Sequence, residues 1–231
     1  MVPVLQRDGK IAGRLLTGPG SATMARVMDI ERFKVFLHVP EESLELVREL
    51  FSQIPQVEVV TGSVFETTAD AVVVPLNSFG FFDSGLALEA TDRYGLQLQD
   101  ELRARIEEKH FGELLVGAAE IMPTGVETPR YIIAAPIART TPGDLRDTVN
   151  VYLAARGALL AVRNTPELGI NSVAFPLMGV SEGKLTPYTA ARQIRYGIRA
   201  VLRRKPRRVQ HLSKAARREK ALKYKEEAEK K

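Results

Sequence analysis

Asp70-Ala-Val-Val-Val-Pro-Leu-Asn77-Ser-Phe-Gly80-Phe-Phe-Asp83-Ser84-Gly85 is the stretch whose reading decides the fold. Residues 71–75 are apolar or β-branched and uncharged, the pattern of a strand buried on both faces. The run stops at Asn77 and passes Gly80. It then enters residues 86–109, where Leu86, Leu88, Leu96, Leu98, Leu102 and Ile106 predict one long helix. A strand that leads through a glycine-bearing loop into a helix puts that loop at the carboxyl edge of a sheet. Open α/β sheets bind ligands at this edge, because strand ends deliver side chains and the helix start offers unpaired N–H groups to an anion.

On either side of this stretch the elements alternate. Residues 33–38 and 57–61 read as strands around an amphipathic helix at 42–53. Strands at 117–122 and 131–136 flank the turn-rich Pro123-Thr-Gly-Val-Glu-Thr-Pro-Arg130. A helix over 147–164, a strand over 172–175 and a helix over 187–204 follow. Thr186-Pro187 starts that last helix, with a hydroxyl cap and a proline where no N–H is needed. Six strands interleaved with four helices predict an α/β fold: a three-layer α/β/α sandwich around a mixed six-stranded sheet. The domain reading is an N-terminal extension at 1–31, a body at 32–204 and a basic C-terminal tail at 205–231. Residues 209–231 alternate charge and alanine, fit a helix with almost no apolar face, and read as solvated.

Composition narrows the function. The chain has 231 residues, 45% of them hydrophobic, enough for one sizeable core. With no cysteine and three scattered histidines, disulfides, cysteine nucleophiles and Cys-rich zinc sites are ruled out, and no metal or cofactor is expected. The absence of a long apolar run and of a leader-like start predicts an intracellular, cytoplasmic protein with no membrane contact. Net charge is +5, but thirteen Lys or Arg against four Glu from residue 203 onward make the end strongly basic and leave residues 1–202 at −4. Such a tail attracts nucleic acid or another polyanion, and it is equally the composition of a solvated helix end.

Three segments converge on the predicted sheet edge: Gly62-Ser63-Val64-Phe65, the loop at 77–85, and Phe175-Pro-Leu-Met178-Gly179-Val180-Ser181-Glu182-Gly183-Lys184. Two glycine-bearing loops that each run from a strand end to a helix suit a ligand with phosphates in its middle, since glycines let amides approach oxygens closely. The strand ending in Asn77-Ser78, the Phe82-Asp83-Ser84-Gly85-Leu86 helix entry, the Pro123-Thr124-Gly125 turn and the Val173-Ala174-Phe175-Pro176 strand follow one another in the order and spacing of one family. Over roughly residues 32–204 the chain resembles the macro domain family, whose members bind ADP-ribose and in several branches remove it from proteins or nucleic acids.

The resemblance implies roles. Asn77 would hydrogen-bond the distal ribose, and the amides around Ser84 and Gly85 would meet a phosphate. The loop Gly179, Val180, Ser181, Glu182, Gly183, with Met178 before it, would wrap the diphosphate and distal ribose. Asp83 matches a carboxylate that hydrolytic members use to orient or activate water. Ser63 and Val64 would also meet the ligand, with Ser63 standing where many members carry an Asp for the adenine amino group. The first loop has Phe79, Phe81 and Phe82 around the single Gly80 in place of a glycine run, and Val180-Ser181 replaces a frequent Thr-Gly pair.

Read as residues alone, Asn77 also fits a turn that braces its own loop, and Asp83 fits a helix cap. The phenylalanines fit core packing or stacking on a ligand, and Lys184 fits a solvated lysine or a phosphate contact. No Lys-Ser or Lys-Thr phosphate loop, Gly-x-Ser-x-Gly elbow or dinucleotide fingerprint is present. The expected function is binding of ADP-ribose, a related nucleotide or an ADP-ribosylated macromolecule, with hydrolysis of the ADP-ribosyl linkage through Asn77, Asp83 and a bound water. The alternatives are a non-catalytic nucleotide or RNA module aided by the basic tail, and a scaffold with a vestigial pocket.

Overall fold

A computed structural model describes residues 28–140, 143–203, 205 and 208–223. The extension predicted at 1–31 falls almost wholly on residues 1–27 and so lies outside the described residues, as does the end of the tail at 224–231.

The strands are β1 (Lys34–His38), β2 (Val57–Val60), β3 (Ala71–Asn77), β4 (Glu120–Pro123), β5 (Tyr131–Ala138) and β6 (Ser172–Pro176). They form one sheet in the order β2-β1-β6-β3-β5-β4. Every neighbouring pair is parallel except β4 with β5. The helices are α1 (Leu44–Phe51), α2 (Gly85–Tyr94), α3 (Gln97–His110), α4 (Asn150–Asn164), α5 (Pro187–Val201) and α6 (Leu212–Leu222). β3 is buried on both faces, as its unbroken apolar run predicts. Val73 joins a cluster with Val47 of α1, Leu159 of α4 and Ile194 of α5. Val72 and Val74 join Ala90 of α2 and Leu102 and Ile106 of α3 on the opposite face. The mixed sheet is therefore the middle of three layers, the predicted α/β/α sandwich.

The long helix predicted over 86–109 is two helices. Gly95 adopts φ +95°, a left-handed conformation open to glycine at no steric cost, and its amide closes α2 on the Thr91 carbonyl at 2.8 Å. Gln97 then donates from Nε2 to the Tyr94 carbonyl at 2.8 Å. The apolar spacing of Leu98, Leu102 and Ile106 resumes beyond the break, so periodicity alone runs straight through it.

The basic tail also departs from expectation. Residues 212–222 form α6, and Leu222 is buried. Its carbonyl accepts from Gln193 Nε2 at 3.1 Å, and the Ala221 carbonyl accepts from the Arg192 guanidinium. The last carbonyls of a helix have no partner within it, so two side chains of α5 supply them. A single leucine and two capped carbonyls hold the helix, which is why no apolar stripe announces it.

At the amino edge of the sheet Asp70 ties three strands. Its Oδ1 accepts from Arg130 at 2.8 Å, and its Oδ2 accepts from the Asn171 amide at 2.8 Å and from the Ser172 amide and hydroxyl at 3.0 Å each. Burial pushes this carboxyl up, but the hydrogen bonds from Asn171, Arg130 and Ser172 outweigh it and hold the pKa below the ordinary aspartate value. A carboxyl lowered on folding adds stability above its unfolded pKa and loses that contribution as pH falls through the folded value. Asp70→Asn should therefore cost about 1–3 kcal/mol at pH 7 and flatten the acid limb of the stability profile below pH ~4. Urea titrations at pH 7 and pH 3 measure it; an equal gap between variant and parent at both pH values would refute the assignment.

Candidate functional site

The carboxyl ends of β3 and β6 open into one cleft. Between Leu76 and Asn77 the pairing of β3 with β5 shifts register, bending the strand end where the first loop begins. Asn77 is buried, and its side chain spans that loop: Oδ1 accepts from the Phe79 and Phe81 amides at 3.0 and 3.3 Å, and Nδ2 donates to the Phe81 carbonyl at 3.0 Å. Asn77 thus braces its own turn, and of its two amide hydrogens one is committed to Phe81.

The three phenylalanines divide. Phe82 is core, and its amide donates to Gln99 Oε1 at 2.8 Å, which ties the loop to α3. Phe81 lines the cleft with the Arg103 guanidinium 4.3 Å above its ring. Phe79 carries Arg139 at 5.1 Å.

Ser84 precedes α2 without capping it through its side chain, and among the described residues no other side chain caps that end. The first-turn amides of Gly85, Leu86 and Ala87, whose residues line the cleft, are left to a ligand. Asp83 lines the cleft as well and is exposed, with no hydrogen bond to the helix start, so it does not act as the cap.

The second loop folds on itself. Leu185 donates to the Gly179 carbonyl at 3.0 Å, and Leu145 donates to the Gly183 carbonyl at 3.0 Å. Among the described residues no group accepts a hydrogen bond from the amides of Ser181, Glu182 or Gly183. Two sets of free donors therefore belong to the loops of a single cleft. Among the described residues its lining contains Asp83 and Glu182 but no lysine or arginine, so an anion here would meet backbone dipoles and not cationic side chains.

Of the residues picked out from the sequence, Asn77, Asp83, Ser84, Gly85, Met178, Gly179, Ser181, Glu182 and Gly183 line this cleft. Ser63, Val64 and Val180 do not. Ser63 Oγ accepts from the Phe65 amide at 3.3 Å, Val64 is buried on the α2–α3 side of the sheet, and Val180 packs against the opposite core. The turn at 62–65 ends on the same edge of the sheet beside β1, with the Gly62 carbonyl 3.3 Å from His38 Nδ1. Pro75, Leu76, Leu86, Ala87, Ile137 and Leu177, with Phe81, complete the lining, and of these only Phe81 was considered for ligand contact. Ile137 is the last residue but one of β5, which pairs with β3, a pairing that order along the chain does not reveal; Leu177 directly precedes Met178.

A family model described as the macro domain matches residues 73–194, more than half of the chain. The chain belongs to the macro domain family. Macro domains generally bind ADP-ribose. An uncharacterized protein of Aeropyrum pernix is 32% identical over 132 residues, which are 57% of this chain and 65% of that protein, so the chain spans about two-thirds of its relative's length. Among solved structures, the macrodomain of Mycobacterium tuberculosis DarG superposes with a TM-score of 0.52 at 22% identity, covering 61% of this chain and 88% of that one. The Oceanobacillus iheyensis macrodomain with ADP gives 0.51 at 22% identity, covering 63% of this chain and 75% of its own. At that identity the likeness shows the macro fold alone. No helix among the described residues is long and apolar enough to cross a membrane.

Proposed function

We propose that this macro domain binds ADP-ribose or a closely related nucleotide in the cleft between its two loops, and that Asp83 makes it a hydrolase of ADP-ribosyl linkages. The observation that carries the binding is the pair of uncapped amide sets, at the start of α2 and over residues 181–183, in loops that line one cleft without cationic side chains among the described residues. A diphosphate satisfies both sets at once. The solved relative with ADP shares this fold.

In the hydrolytic step a water held by Asp83 attacks the anomeric carbon of the distal ribose. The carboxylate takes the water's proton, the bond from that carbon to the acceptor breaks, and the acceptor leaves with its electron pair and takes up a proton. Asp83 suits this role because it is exposed at the cleft and is not consumed as a cap. Asn77 keeps the loop in shape and has one amide hydrogen for the distal ribose.

Calorimetric titration with ADP-ribose beside AMP, at two salt concentrations, tests the binding. ADP-ribose should bind more tightly than AMP, with little change in affinity between the two salts, since neutral dipoles and not ion pairs hold the phosphates. Binding that weakens steeply with salt would point instead to the basic end of the chain. Asp83→Asn should leave ADP-ribose affinity within a few-fold and lower release of ADP-ribose from a modified macromolecule by about 10²–10⁴. Equal turnover by the variant refutes the catalytic role.

A second reading has its own support. Asn77 spends three hydrogen bonds on its loop, as it would in a module that binds a nucleotide or an RNA end without cleaving it. An unmodified protein that binds ADP-ribose and shows no turnover selects that reading.

A further inference from the structure

Between positions 187 and 223 the described residues carry eleven Lys or Arg and a single acidic residue, Glu219. Lys223 takes Glu219 at 3.2 Å, and among the described residues no other cation of this region has an ion-pair partner. Elsewhere in the fold cations are matched: Arg48, Arg93, Arg105, Arg130 and Arg139 each lie within 4.0 Å of a carboxylate.

The unmatched cations are ordered in two rows. On α5, Arg192, Arg195, Tyr196 and Arg199 recur every three or four residues and share one face, turned away from buried Ile194 and Ile198. Arg199 is exposed, and Tyr196 is 39% exposed. On α6, Lys214, Arg217 and Lys220 recur every three residues and are all exposed, while Leu222 is buried. The rows meet where the Arg192 guanidinium donates to the carbonyl of Ala221, the residue next to Lys220. Like charges three and four residues apart weaken a helix, and docking α6 on α5 brings two such rows together. A closely spaced line of negative charges relieves the repulsion in both.

The side chains indicate its chemistry. Seven of the eleven cations are arginine, whose planar fork matches phosphate oxygens in pairs. Each row runs about 10 Å along its helix, the reach of about three phosphates. Tyr196 stands between Arg195 and Arg199 with a ring open to stacking by an unpaired base. A lipid surface would need an apolar stripe beside the charges, and α6 has none.

We propose that the outward faces of α5 and α6 form a docking surface for the phosphate backbone of a single-stranded nucleic acid, with Tyr196 stacking on a base. No residue of either helix lines the cleft, so this surface stands apart from the nucleotide-binding reading above.

Fluorescence anisotropy of the full chain with a labelled oligouridine of about 20 nucleotides tests it. Affinity should fall by roughly 50-fold between about 50 and 200 mM salt, the slope for about four phosphates. Lys214→Glu, Arg217→Glu and Lys220→Glu together should weaken binding by about 30-fold or more and leave ADP-ribose affinity unchanged. Arg199→Ala should lower the salt slope by about one phosphate, and it remains to be read if the triple variant does not fold. Tyr196→Ala should weaken binding by about fivefold or more at an unchanged slope, which loss of charge does not do. Binding that is absent, insensitive to salt or retained by the triple variant overturns the inference. So does tighter binding to phosphatidylserine vesicles, which selects a membrane, or displacement of the oligonucleotide by an equal charge of polyglutamate, which selects an acidic protein. A Tyr196→Ala protein that binds like its parent overturns the single-strand assignment. Oligonucleotide binding by a protein that does not bind ADP-ribose removes the cleft reading and leaves this one standing.

Discussion

Gly183→Ala is expected to weaken ADP-ribose binding on the order of 100-fold and to lower stability by about 2 kcal/mol. A β-carbon at position 183 would stand 2.5 Å from the Gly179 carbonyl oxygen, 2.7 Å from Leu145 Cδ1 and 3.0 Å from Gly179 Cα. Two of these are backbone atoms of the same loop, which cannot rotate away as a side-chain tip can. The loop must open, and opening it displaces the amides of 181–183 from the cleft and breaks the 3.0 Å bond from Leu145 to the Gly183 carbonyl. Gly143→Ala is the control. An added β-carbon there meets nothing within 4 Å, and stability should stay within about 0.5 kcal/mol of the parent. Calorimetry with ADP-ribose and thermal melts on both variants decide the matter, and a Gly183→Ala protein that binds like its parent would show that the second loop does not form the site.

The second large effect is expected at Gln193, a fully buried residue of α5. Its Oε1 accepts from the Tyr152 amide at 3.1 Å, and its Nε2 donates to the Thr148 carbonyl at 3.0 Å and to the Leu222 carbonyl at 3.1 Å. One amide side chain thus caps the first turn of α4, holds the segment leading into it and closes the last turn of α6. Gln193→Ala leaves three backbone groups without their partner and should cost about 3 kcal/mol, seen as a lower urea midpoint. Hydrogen exchange should show α6 opening more readily. Leu145, Thr148 and the loop at 179–183 are joined through the Leu145 amide, the Gly183 carbonyl and the Thr148 amide, so nucleotide affinity should fall as well. A change in stability with no change in α6 exchange would refute the capping of that helix.

Much of this was legible in the residues. The run from Ala71 to Leu76 announces a strand buried on both faces, and the glycine loop and helix that follow announce the sheet edge where the cleft lies. Thr186 caps α5 through its hydroxyl as its sequence predicts, accepting from the Thr189 amide at 3.2 Å. Lateral order in the sheet was not legible. Order along the chain does not say that β1 lies between β2 and β6, nor that β6 lies between β1 and β3. Local signals miss this because strand neighbours are chosen by packing across the whole domain. The helix break was hidden because Leu96 continues the apolar spacing, and the docking of α6 rests on one leucine in a charged run. The double use of Asn77 was half visible: a turn residue and a ligand residue look alike until hydrogen bonds show how much of the side chain the turn consumes.

The position of β6 has a consequence for how the chain is made. Among the described residues it is the last strand in sequence, and it is the third in the sheet, with Ser172 opposite Lys34 on one side and Val173 opposite Ala71 on the other. Until it has been synthesised, β2 with β1 and β3 with β5 and β4 are two separate ribbons, each presenting a bare and largely apolar edge. Such edges pair readily with foreign strands. A chain stopped short of Ser172 is therefore not a smaller domain but two open templates for aggregation, and the nascent protein depends on its final strand arriving before those edges find another partner.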